Sequence, residues 1–385
     1  MDILYIGKYP PIQGGESTKA YWLLSALVER GNTVRVISNP RDVGRENCHS
    51  MAPNDSNQLV ADGLEYYQTG IGEDPFFIPE YSLVSERLAS LALEKVDRRE
   101  PDIIFGWYLF PYASAASHVA KMCDIPLVVQ HAGSDLKRQL CDSRQFEYGR
   151  RVFLSADAVL SYPSSVDVFE SLGCNDILKH NPSKPSIFDP DGPVEDLSDI
   201  NGNHIDISES FLFFGKLTKG KGVGLLIEIA SYINSDINVV LVSTGRHREY
   251  YKKYSKEIGA ESVRFAEAIS PWRVPAVMRN AQVVVVPEWN FGVEKHKSTI
   301  PIESVLCGTP VLLSKQIQHK YPVIDGAIET FNPTDEEGSA NKFENISGYG
   351  KLERKAKIKS REARNKMGHF YDYVMEMGEK ISSVI

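Results

Sequence analysis

Apolar positions along the chain follow two alternating rhythms. Short, mainly apolar runs at residues 3–6, 34–38, 103–105, 127–129 and 158–160 read as strands. Between them, Ala20, Leu23, Leu24, Leu27 and Val28 recur at helical spacing, as do Val84, Leu88, Leu91 and Ala92. Each set predicts a helix with one apolar face. Gly31 closes the first of these, and a further helix is predicted at 113–122. Residues 39–63 are polar and turn-rich and read as a surface excursion. Residues 182–204 are poor in periodic apolar positions and rich in Pro, Asp and Gly, which suits an interdomain linker. The rhythm then restarts. Strands at 211–214, 239–243, 263–265, 283–286 and 311–313 interleave with helices at 223–233, before Gly259, and at 272–278. A charged helical stretch at 351–364 and a last segment at 367–385 follow. Repeated βα units of this kind predict doubly wound, mainly parallel sheets in two successive α/β domains.

Composition narrows the picture. A chain of 385 residues is long enough for two cores, and 42% hydrophobic with 24% charged residues excludes disordered and fibrous classes. A formal net charge of −8 counts against a nucleic-acid binder, whose affinity rests on neutralising phosphates. Cys48, Cys123, Cys141, Cys174 and Cys307 are scattered and lack C-x-x-C spacing. Free thiols in a reducing compartment are expected, rather than disulfides or a zinc site. No apolar run approaches the roughly 18–20 residues that span a bilayer, and the N-terminus reads as a strand rather than a secretory signal. The expected location is cytoplasmic.

Candidate chemistry concentrates where strands hand over to helices, the usual ligand edge of an open α/β sheet. The stretch 283–314, VVVVPEWNFGVEKHKSTIPIESVLCGTPVLLS, is the richest. A buried strand leads into a loop, and a helix opens at Ser298 or Thr299 with Pro301 in its first turn. A hydroxyl there is expected to cap free amides. Glu303 comes early in this helix, which ends at Gly308. Upstream, a strand ends at Gly215, and Lys216 and Lys221 flank the turn feeding the next helix. Cations beside a helix start make an anion site; two solvated loop lysines are the plainer alternative. The loop 9–15, YPPIQGG, ends in Gly14 and Gly15, which allow close backbone approach to a ligand or simply a tight turn. It lacks the G-x-G-x-x-G of dinucleotide binders. His131, in the run 130–135 (QHAGSD), follows the strand at 127–129, where a cleft residue would sit; a structural histidine is the alternative. Asp189-Pro190-Asp191 reads as a turn rather than a metal motif.

These motifs together resemble the retaining glycosyltransferases of the GT-B fold, family four, the glycosyl transferases group 1. Pro301-Ile302-Glu303-Ser304 and Cys307-Gly308-Thr309-Pro310-Val311 match that family's donor-binding segment. Lys221-Gly222 matches its phosphate lysine, while Lys216 stands where arginine is usual, keeping the charge without the bidentate fork. The run from Trp107 to Pro111 resembles the family's aromatic-proline segment, and His131 to Asp135 its His-Gly-Ser-Asp sequence with Ala132 inserted. The family's second glutamate, eight residues before Glu303, is replaced by Lys295.

The resemblance implies two Rossmann-like domains facing a central cleft: an acceptor-side domain at 1–187, a nucleotide-sugar domain at 188–365, and a segment at 366–385 crossing back to the first. It implies catalytic roles for His131 near the reacting sugar and for Lys216 and Lys221 at the diphosphate. It implies donor contacts from Gly14, Gly15 and Gly215, from Arg246 at the nucleoside, from Ser298 and Thr299 at the phosphates, and from Glu303 at the ribose. Glu288 or Glu294 would stand in for the missing glutamate at the sugar. No metal and no cofactor are implied. The partners would be a UDP- or GDP-sugar donor and a glycan, lipid-linked or small-molecule acceptor. Peripheral contact with the inner face of a membrane stays open, although no strongly basic amphipathic helix is evident. A nucleotide-sugar epimerase of the same fold and a non-catalytic sugar-nucleotide binder remain as alternatives.

Overall fold

The computed structural model describes residues 1–12, 14–39, 63–70, 83–180, 182–199, 201–233, 237–243, 247–289, 298–345 and 349–385. The chain divides into two compact units. The first holds the described residues up to Ser183 together with Phe370–Ile385, and the second holds Lys184–His369.

In the first unit the elements run β1 (Asp2–Gly7), α1 (Gly15–Val28), β2 (Thr33–Ser38), β3 (Leu64–Gln68), α2 (Val84–Arg98), β4 (Ile103–Trp107), α3 (Ser114–Cys123), β5 (Leu127–Gln130), α4 (Ser134–Arg138), α5 (Phe146–Leu154), β6 (Ala158–Ser161), α6 (Val166–Leu172) and β7 (Ile177–Lys179). Among the described residues these strands form one sheet of order β3-β2-β1-β4-β5-β6-β7, parallel throughout. Alternate residues of one strand face opposite layers. Leu4, Ile6, Ile104, Leu127 and Val129 pack with Leu88, Ala92, Ala116 and Val119 of α2 and α3. Ile3, Tyr5, Ile103, Phe105 and Val128 pack with Ala20, Leu23, Leu24 and Leu27 of α1. Both faces of the sheet are therefore covered, which explains the uninterrupted apolar strands.

The second unit begins with a two-residue antiparallel ribbon, β8 (Leu197–Ser198) and β9 (His204–Ile205). It continues as β10 (Ser210–Phe214), α7 (Val223–Ser231), β11 (Asn238–Val242), α8 (Arg248–Glu257), β12 (Val263–Ala266), α9 (Val274–Asn280), β13 (Val283–Val286), α10 (Ile300–Leu306), β14 (Val311–Ser314), β15 (Ile328–Phe331), α11 (Glu336–Glu344) and α12 (Tyr349–Met367). Its sheet has the order β12-β11-β10-β13-β14-β15 and is parallel. Phe211, Phe213, Val239, Leu241, Val283 and Val285 meet Leu226, Ile227, Ala340 and Phe343 of α7 and α11. The last helix, α13 (Phe370–Ser382), belongs to the first unit, where Tyr373, Val374, Met377 and Ile381 join the layer of α1.

Besides the short ribbon β8-β9, the strands β3, β7 and β15 have no counterpart in the hydrophobic pattern. Each lies at a sheet edge and is only partly buried along its length. An edge strand covered on fewer sides needs no continuous apolar run, so the pattern is silent there. The segment after Ser183, which the composition marks as a linker, is fastened to the second unit. The Arg279 guanidinium donates to the carbonyls of Ile187, Asp189 and Pro193, and Arg273 pairs with Glu195 at 2.5 Å. The Asp189 carboxylate accepts from the Asp191 N–H at 2.9 Å, so Asp189-Pro190-Asp191 is a turn.

Candidate functional site

The order of the second sheet reverses between β10 and β13. The chain proceeds from β10 outward to β12, then returns to place β13 on the other side of β10. Ligands of open α/β sheets gather at the carboxyl ends of the strands flanking such a reversal, because the helices there depart to opposite faces. Lys216 and Lys221 follow β10, and Glu288 follows β13.

Local geometry brings these groups together. After β10, Gly215 has φ +149°, and a single helical turn at Lys219–Lys221 leads to Gly222 with φ +74°. A Cβ at Gly222 would stand 2.2 Å from the Pro287 carbonyl oxygen, so only glycine lets this turn press against the end of β13. The close approach sets Lys221 Nζ 2.7 Å from Glu288 Oε2. Glu288 is 3% exposed. Tyr321 lies close by: burial raises its phenol pKa, and the Glu288 charge adds to the effect. Its hydroxyl donates to the Ser298 carbonyl at 3.0 Å, at the approach to α10.

Glu303 sits in the first turn of α10 and is also buried. Lys184 Nζ donates to its Oε1. The backbone around Lys184 is held in turn by Arg364 of α12, which donates to the carbonyls of Lys184, Pro185 and Phe188. Lys184 escaped the sequence reading because a lone lysine between prolines in a polar stretch carries no periodicity. Thr299 stands at the N-cap position of α10, but its hydroxyl makes no capping bond. The capping expected there is thus not made by Thr299. Proline at the start of α10, which has no N–H to satisfy, serves that end instead. At its other end α10 stops at Gly308, with φ +79°.

In the first unit, Gly14 has φ +139° and precedes α1, whose first residue is Gly15. Glu16 accepts from Trp107 Nε1 at 3.0 Å and from Lys19 Nζ at 2.7 Å, and Lys19 also donates to the Tyr162 hydroxyl. Burial opposes the Lys19 charge, but Glu16 and Tyr162 outweigh it and raise its pKa. His131 is fully buried, packed beside Tyr162 and Phe169. Its Nδ1 accepts from the Gly133 N–H at 3.1 Å, and its Nε2 lies 3.3 Å from Ser161 Oγ. The ring expected near a reacting sugar thus has no exposed face, and both its nitrogens are engaged within the chain. Asp135 accepts from the N–H groups of Leu109, Ala132 and Leu136. Burial nevertheless outweighs those bonds and pushes its pKa up to about 6.

The structure therefore assembles Lys221 with Glu288 across the reversal point and Glu303 with Lys184 at α10. Arg246 and Glu294, together with Lys295, lie outside the described residues. The described residues contain no group of three His, Cys, Asp or Glu side chains arranged to hold a metal ion. Among them, no helix is long and apolar enough to cross a membrane.

Residues 201–363, which run from the ribbon through most of α12, match the family model of the glycosyl transferases group 1. The match spans less than half of the 385-residue chain. No curated protein sequence matches the chain. Among solved structures, sucrose-phosphate synthase from Thermosynechococcus elongatus is 15% identical with a TM-score of 0.70, covering 100% of this chain and 99% of that one. Anabaena HepE in complex with UDP-glucose is 16% identical with a TM-score of 0.67, each chain being covered completely. WaaG, a glycosyltransferase involved in lipopolysaccharide biosynthesis, is 13% identical with a TM-score of 0.61, covering 99% of this chain and 100% of that one. At these identities the likeness establishes the fold: two Rossmann-like parallel-sheet units of the GT-B type. The matched span contains Lys216, Lys221, Glu288 and Glu303.

Proposed function

We propose that the protein is a retaining glycosyltransferase that moves a sugar from a nucleotide-sugar donor to a glycan, lipid-linked or small-molecule acceptor. The observation that carries this reading is the placement of Lys221, within the matched span, at the turn into α7 and beside the point where the strand order reverses. A diphosphate there meets a fixed cation and the N-terminal amides of a nine-residue helix. Lys216 adds a second cation on the same turn, and Gly215 allows close backbone approach. Glu303 is assigned to the ribose diol, with Lys184 occupying one of its oxygens, and Ser298 and Thr299 to the approach of the phosphates. That HepE is seen with UDP-glucose favours a UDP-sugar over a GDP-sugar. The first unit, with Gly14 and Gly15 at the start of α1, is assigned to the acceptor side. His131 is read as a positioning residue that shapes the loop at 131–135.

In this reading the bond from the anomeric carbon to the diphosphate oxygen breaks, and the oxygen keeps the electron pair. Lys216, Lys221 and the α7 amides stabilise the charge that develops there. The acceptor hydroxyl bonds to the anomeric carbon on the face the diphosphate leaves, and its proton passes to the departing phosphate. Stabilising that charge with groups already in place lowers the barrier more than any other effect available to such a site, and the reading needs neither metal nor cofactor. The test is a thermal-shift and product screen of UDP- and GDP-sugars with wild type and Lys221→Ala. One donor should stabilise wild type and release free nucleotide, and the variant should lose roughly 100-fold in turnover. Turnover within a few-fold of wild type in Lys221→Ala would remove the phosphate role. An epimerised nucleotide sugar as the product would replace the transferase reading.

A further inference from the structure

We propose that Glu288 is an internal competitor of the donor diphosphate for Lys221, so that donor binding exchanges one anion for another. The inference rests on the phosphate role given to Lys221 above and names a regulation of that same site. A buried carboxylate is costly without a partner, and Glu288 is 3% exposed with Lys221 Nζ at 2.7 Å. The ammonium that would grip a phosphate already holds an anion. Its side chain is 17% exposed, so it is largely withdrawn from water as well.

The backbone does not relieve this competition. The Lys221-Gly222 turn is pressed against Pro287, the residue before Glu288, so closely that a Cβ at Gly222 would meet the Pro287 carbonyl oxygen at 2.2 Å. Strand pairing of β10 with β13 holds the two elements side by side. The pair therefore opens by side-chain rotation, not by strand separation. A phosphate taking the Lys221 ammonium while Glu288 stayed in place would set two anions beside one cation, which is unfavourable at a site of low exposure. Donor binding must turn Glu288 away, and its apparent affinity is reduced by the fraction of molecules in which the pair is closed. A pair serving only to hold β10 against β13 is the competing explanation, and affinity rather than stability separates the two.

The experiment titrates UDP, GDP and ADP calorimetrically, at one fixed salt concentration, into wild type, Glu288→Gln, Lys221→Ala and the double variant. Melting midpoints confirm that each is folded, and Glu288→Ser replaces the glutamine variant if that one is not. For the nucleotide that binds wild type, Glu288→Gln should tighten binding by roughly tenfold, corresponding to a pair open about one-tenth of the time. Lys221→Ala should weaken binding, and adding Glu288→Gln to it should restore nothing, because the contested cation is gone. Unchanged or weaker binding in Glu288→Gln overturns the competition. So does a gain that persists undiminished in the Lys221→Ala background, since that would be through-space repulsion. If Lys221→Ala alone leaves affinity unchanged, or no nucleotide binds wild type, the phosphate reading itself fails and the competition falls with it.

Discussion

The carboxyl ends of the two sheets bury polar groups in opposite ways. In the first unit, Asp135 and His180 are each buried without a charged partner at hydrogen-bond distance among the described residues. Asp135 relies on three backbone N–H groups, and neither ring nitrogen of His180 has a hydrogen-bond partner among the described residues. Burial then moves both protonation equilibria toward the neutral form: Asp135 rises to about 6 and His180 falls to about 3. In the second unit, Glu288 and Glu303 are buried as deeply, yet each meets an ammonium, from Lys221 and Lys184. The Glu16–Lys19 pair of the first unit is left about one-fifth exposed on both sides. Desolvation acts in both units; what differs is whether a shift toward the neutral form or a second charge offsets it.

The sharpest way to break this contrast is to remove one charge from a buried pair. Glu303→Ala leaves the Lys184 ammonium without its partner, and the second unit should lose about 3–5 kcal/mol. The double change Glu303→Leu with Lys184→Met should recover most of that, because an apolar pair costs no desolvation. Urea titrations of wild type, the single and the double variant measure this. A loss below about 1 kcal/mol in Glu303→Ala would place the pair with weak surface bridges.

A smaller effect is expected from His180. Its folded pKa lies below the unfolded value, so below about pH 6.5 the unfolded chain takes up a proton that the folded chain refuses. Stability from this group is complete at neutral pH and lost as pH falls toward about 3. Burial is the main cause, with Lys19 and Lys380 adding repulsion. His180→Phe, between Tyr162 and Tyr373, should therefore show a smaller drop in melting midpoint from pH 7 to pH 4.5 than wild type. Equal drops in both proteins would show that His180 is protonated in the folded state.

The least effect is expected at the opening of α10. An N-cap hydroxyl is usually worth about 1 kcal/mol, but Thr299 makes no capping bond. Thr299→Ala should change stability by no more than about 0.5 kcal/mol, read from the same urea titrations. A loss near 1 kcal/mol would mean that the hydroxyl caps this helix in solution.

Most of the fold was legible from the chain alone, and for a definite reason. Strands covered on both faces must be apolar at every position, so β1, β4, β5, β10, β11, β13 and β14 announce themselves without reference to neighbours. Helices such as α1 and α2 betray one buried face by spacing, and Gly31, Gly259 and Gly308 mark left-handed ends that the backbone adopts, with φ of +82°, +72° and +79°. Lys221, Glu303 and the glycines of the turns could be nominated because each depends on its local βα junction. Tertiary structure alone decided the pairings. Lys184 lies 119 residues from Glu303 and Lys221 lies 67 from Glu288, distances over which no periodicity operates. Partners of buried charges are chosen by which strands lie side by side. The order β10-β13, with Gly222 pressed on Pro287, is what turned one nominated donor contact into the anion already occupying the lysine. The edge strands β3, β7 and β15 were hidden for the same reason, although the edge strand β12 was legible: their role is set by position in the sheet, which the residues of the strand itself do not encode.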